Sequence, residues 1–172
     1  MKLKRMCLIV GVLVLSLPSA PAALPSQPVH SVTGSGLVDM RNDPQFLIDA
    51  VFRTTVAAHQ DAQGKAWGSV VVNILLLFDL PVPFTVHAQV YCVDVEADGK
   101  TAWVYAKITQ STSPDLYPVG SNIVTFVHDV GGAGEDFMHE ELTASFGNID
   151  CGDRPEILRD YTRVDTGNYN VR

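Results

Sequence analysis

FTVHAQVYCVDVEADGKTAWVYAKITQ, residues 84–110, carries the clearest structural pattern in the chain. Two runs rich in β-branched and aromatic residues flank Asp98-Gly99. Glycine accepts the positive φ of a tight hairpin turn at no steric cost, so the stretch reads as strand, turn, strand. On the return strand Ala102, Val104, Ala106 and Ile108 form the apolar face, with Trp103, Tyr105 and Lys107 opposite. On the outgoing strand Val86, Ala88, Val90 and Cys92 share one face, while Val93 and Val95 take the other parity. One extra residue flips the facing of everything after it, so the pattern predicts a β-bulge near Cys92.

The period of two continues on both sides of this hairpin. Residues 36–40 read as a short first strand, ended by the turn-forming run Arg41-Asn42-Asp43-Pro44. Across residues 46–58, Phe46, Ile48, Ala50, Phe52, Val56 and Ala58 share a face. After a polar turn at 59–64, residues 65–78 begin with alternation and become apolar on both faces at VVNILLLF. A run of that kind is covered on both sides or faces a partner. Beyond the hairpin come a Pro/Gly loop, a strand at NIVTFVH (122–128), the glycine-rich acidic turn DVGGAGED (129–136), and residues 137–146. That last segment suits helix or strand, and the surrounding meander favours strand. Seven or eight short strands with no convincing helix predict an all-β antiparallel meander, either a sandwich or an up-and-down barrel.

Lys2, Lys4 and Arg5, the apolar run 6–17 and Ala20-Pro21-Ala22 have the layout of a secretory signal peptide cleaved after Ala22. A dozen apolar residues fall short of the roughly 20 needed to cross a bilayer, so no membrane span is expected. The expected organisation is leader 1–22, flexible lead-in 23–35, β-domain 36–152 and polar tail 153–172. The remaining chain carries nine basic against 19 acidic residues, a net charge of −10. Such a product is repelled by nucleic acid and by anionic membrane surfaces. Cys7 leaves with the leader. Cys92 and Cys151 remain, and in an exported chain a lone pair reads as one disulfide.

AAHQDAQGKAWG (57–68), VHAQVYCVDVEADGKTAWV (86–104) and TFVHDVGGAGEDF (125–137), closed by Cys151-Gly152, together resemble a family of small exported bacterial all-β proteins of uncharacterised function. The resemblance covers most of the chain after the leader. It departs at the more apolar VVNILLLFDLPVPF segment, and where Tyr105 and Ala106 stand in place of glycines. It implies an exported all-β domain, and transfers no activity to any residue.

Candidate chemistry is sparse. GGAGEDFM (131–138) matches a single copy of a calcium-binding nonapeptide whose calcium sits between stacked repeats. With no second copy it reads as a hairpin loop, leaving Asp129, Glu135 and Asp136 as candidate ligands of a hard cation. His59, His87, His128 and His139 show no zinc-motif spacing, although His87 and His128 would converge if their strands paired closely. No serine sits in a nucleophile elbow. Trp103 and Tyr105, with His87 and Tyr91, are candidates for a stacking face that takes a glycan or another planar ligand. These readings give a secreted, non-catalytic β-domain that uses no cofactor and whose partner is a small molecule, a glycan or an envelope component. A metal-assisted hydrolase and a barrel carrying an apolar ligand are the alternatives.

Overall fold

The computed structural model describes residues 29–41, 50–77, 83–131, 136–143, 149–154 and 162–172. The leader and most of the lead-in fall outside these. The described residues form nine strands: β1 (His30–Asp39), β2 (Ala50–Gln60), β3 (Ala66–Leu77), β4 (Phe84–Val95), β5 (Thr101–Ser111), β6 (Asn122–His128), β7 (Phe137–Thr143), β8 (Thr162–Arg163) and β9 (Thr166–Val171). All pairings are antiparallel, in one sheet of order β8-β7-β6-β5-β4-β3-β2-β1-β9.

The two ends of that order, β8 and β9, are separated in the chain only by Val164 and Asp165. Edges joined by so short a linker must lie side by side, so the sheet curls into a barrel rather than splitting into a sandwich. The bridging segment bonds both ways at its midpoint: the Val164 amide donates to the Asp136 carbonyl at 2.9 Å, and the Asp165 amide to the Leu37 carbonyl at 2.9 Å. β8 and β9 together thus occupy the eighth position of an up-and-down barrel. The expected lead-in and tail are corrected here. β1 starts at His30, inside the former, and the polar tail supplies the closing strands.

Alternation places Val32, Val56, Val70, Val86, Val104 and Ile123 in one interior cluster, with Met138, Val164, Tyr169 and Val171 from the closing side. Eight strands enclose a space that side chains just fill. Tyr169 is the largest contribution from the tail. It lies opposite Gly34 on β1, where a side chain would meet the Tyr169 ring at 2.9 Å. Its hydroxyl donates to the Thr54 carbonyl at 2.9 Å.

The expected bulge near Cys92 is present, at Tyr91. Val90 pairs with Ala106 and Cys92 with Tyr105, leaving Tyr91 as the extra residue. Cys92 therefore leaves the face of Val90 and joins Trp103, Tyr105, Val124 and Phe126 in a second cluster on the outer wall. The disulfide Cys92–Cys151, with Cα atoms 5.8 Å apart, ties residues 149–154 down as a strap over that cluster. Residues 137–143 form strand, as expected.

Candidate functional site

Trp103 and Tyr105 do not form an open stacking face. They are 5 % and 0 % exposed. The strap covers both: the Tyr105 hydroxyl donates to the Asp153 carbonyl at 2.9 Å, and the Arg154 guanidinium lies 5.7 Å from the Trp103 ring centre. Arg154 also pairs with Asp94 and Glu96, and the Trp103 indole donates to Glu96 at 3.0 Å. Loss of solvent, then the Asp94 carboxylate, pushes the Tyr105 phenol up to about 12. Alternation on β5 showed that these aromatics face away from the barrel interior. A second layer supplied 50 residues later left no local signal.

His87 and Tyr91 do face outward and are exposed. The Tyr91 hydroxyl donates to the Ile149 carbonyl at 3.1 Å. Burial, and then the nearby Asp150 charge, raise its phenol above the usual range.

His128 cannot meet His87. His128 pairs with Thr101 of β5 and His87 with Gln110 of the same strand, so about 30 Å of strand at roughly 3.3 Å per residue separates them. His128 instead closes a chain of hydrogen bonds at the central hairpin: its Nδ1 lies 2.9 Å from the Thr101 hydroxyl, which donates to Asp98 at 2.6 Å. That hydroxyl, with the Lys100 and Thr101 amides, holds the Asp98 carboxyl down at about 2. The arrangement fixes the Asp-Gly turn.

Glu135 and His139 contribute nothing that can be placed: Glu135 and the His139 side chain lie outside the description. Asp129 and Asp136 accept backbone amides. Asp136, 3 % exposed, takes the Tyr169 amide at 2.6 Å and the Val130 amide at 3.1 Å, and Asp129 takes the Val171 amide at 3.1 Å. The two acids expected to hold a cation thus bond the free edge of β9 and seal the barrel. Among the described residues no three His, Cys, Asp or Glu side chains converge as a metal site.

A cleft of about 1140 Å³ opens on the outer wall beyond the point where β3 and β4 stop pairing, lined by Ala66 of β3, residues 89–92 of β4, residues 107–109 of β5 and residues 149–151 of the strap. β3 pairs with β2 as far as Ala66, but with β4 only as far as Ser69, opposite Gln89. Each of the two strands carries a backbone irregularity near this point. Gly68 has φ +133°, and a Cβ there would stand 1.9 Å from the Ala57 carbonyl oxygen. On the other side lies the Tyr91 bulge. The Gln60 side chain spans the gap, its amide oxygen accepting the Val93 amide at 3.1 Å. Lys65, Gln89, Tyr91, Lys107 and Asp150 bring polar groups to the cleft. Neither lysine has an ion-pair partner among the described residues. Sequence reading found Tyr91 and the bulge. It missed Gly68, whose neighbours Trp67 and Ser69 made it look like an ordinary strand position.

No family model matches the chain, and neither a curated protein nor a solved structure matches it. No helix among the described residues is long and apolar enough to cross a membrane. The outer wall is itself polar over much of β2 to β4, with Arg53, Thr55, Ser69 and Gln89 exposed, whereas a strand wall facing lipid carries an apolar band.

Proposed function

We propose that the chain is an exported, non-catalytic binding domain whose recognition site is the cleft between β3 and β4. The observation that carries this reading is the parting of the two strands beside the disulfide. A glycine held at positive φ and a bulge open the wall at the same level, and irregularities of that kind are retained where a surface has work to do. The filled interior leaves little room for an apolar ligand of the barrel, and the strap occupies the outer face of β4 to β6. Export fits the leader-like N-terminus and a disulfide that persists in an oxidising compartment.

The test is a titration of the isotope-labelled mature chain, residues 23–172, with glycans, peptides and lipid headgroups, read by amide chemical shifts. The expected ligand moves the signals of Gln89, Tyr91 and Lys107, and Tyr91→Ala weakens it by about tenfold. Turnover of an ester, glycoside or peptide substrate that disappears in His128→Ala would overturn the reading in favour of a hydrolase.

A further inference from the structure

The parted strands leave more than a hole. Past Ser69 and Gln89 the register of β3 with β4 ends, and Ala66 on one side and Val90, Tyr91 and Cys92 on the other line the opening. Unpaired edges are templates for another strand. Gln60 already behaves as a stand-in: its side-chain oxygen takes the Val93 amide, a place that a strand carbonyl would otherwise fill. Rotating one glutamine side chain away exposes that donor.

We propose that this gap is a docking groove for an extended peptide bearing acidic side chains, which adds to the barrel wall as a further strand. The inference rests on the cleft being the recognition site. Backbone pairing with the open edges supplies the attachment. The choice of acidic side chains follows from charge: Lys65 and Lys107 bring to the lining two cations with no ion-pair partner among the described residues, in a chain that is otherwise acidic, against Asp150 as the carboxylate there. Opposite charge at the rim steers encounter and excludes basic partners. A neutral glycan would satisfy Tyr91 and Gln89 but would leave the strand edges and both lysines unused.

Hydrogen exchange of the labelled mature chain tests this with the peptide SEVEVEVS, its lysine counterpart SKVKVKVS, a version of the first with alternate backbone amides N-methylated, and cellohexaose. The acidic peptide is expected to slow exchange at Trp67, Gly68 and Val90 by about tenfold or more, and neither peptide control does so. Lys65→Glu combined with Lys107→Glu is expected to weaken its binding by about tenfold or more with the melting temperature unchanged. Gln60→Ala is expected to speed exchange at Val93 in the free chain and to tighten the peptide. The proposal is overturned if these amides are already as slow as the core in the free chain, which would mean that the protein's own residues or a second copy fill the gap. Equal effects of the acidic and basic peptides, or no effect at about 1 mM, also overturn it. Cellohexaose binding at Tyr91 without peptide binding would sink this inference and leave the binding-domain reading standing, whereas silence from every probe would remove both.

Discussion

Thr125 and Tyr169 carry polar atoms into the same interior with opposite consequences. Thr125 is fully buried and its hydroxyl has no hydrogen-bond partner among the described residues. A buried hydroxyl without a hydrogen bond costs free energy that an apolar group of similar shape does not. Thr125→Val is therefore expected to stabilise the protein by about 1 kcal/mol in urea unfolding. The Tyr169 hydroxyl has its acceptor in the Thr54 carbonyl, so Tyr169→Phe removes that buried hydrogen bond and is expected to cost about 1 kcal/mol in the same assay. Tyr105 gives a pH signature. Its phenol titrates from 10.0 in the unfolded chain to about 12 in the fold, so the native state holds the proton more tightly. Its contribution is complete below pH 10 and is lost as pH rises through 12. Tyr105→Phe should flatten that part of the stability profile, and alkaline unfolding as steep as in the parent would contradict the assignment.

Among the elements, β4 and its strap show which parts of a fold a sequence discloses. The hairpin at Asp98-Gly99 was legible because its determinants are adjacent, as was the bulge, which leaves a parity break within a single strand. The strap was not legible, since its contacts with Trp103 and Tyr105 pair residues about 50 positions apart. The closing strand was hidden differently. TGNYNV is polar by composition, yet Tyr169 and Val171 alternate inward and the carboxylates that receive their amides come from β6–β7 loop residues long before them. Of the candidate site, Tyr91 was visible and the gap beside it was not, because strands that stop pairing leave no mark in either strand's own pattern. Reducing Cys92–Cys151 removes the covalent tie of the strap and leaves its hydrogen bonds and the Arg154 ion pairs to hold it. Opening a loop of 59 residues is expected to cost about 4 kcal/mol on the chain-entropy account while the sheet persists. The indole of Trp103, now wetted, should shift its emission to the red. Loss of the whole β circular-dichroism signal on reduction would show that the strap does more than cover.

At the scale of the molecule, the fold depends on the chain returning to its own beginning. β1 is bonded to β2 on one side and to β9 on the other, and β9 in turn is held by the Asp129 and Asp136 carboxylates. At the seam itself β7 pairs with β8 only through Phe137 and Met138, and carboxylates rather than a strand receive the outward amides of β9. The most direct measurement is native-state hydrogen exchange, comparing the Tyr169 and Val171 amides with those of Val104 and Val124. Closure by the C-terminal strand predicts that all four exchange only through global unfolding and share one free energy. Tyr169 and Val171 amides exchanging freely, at the rate of an unstructured tail, would contradict it.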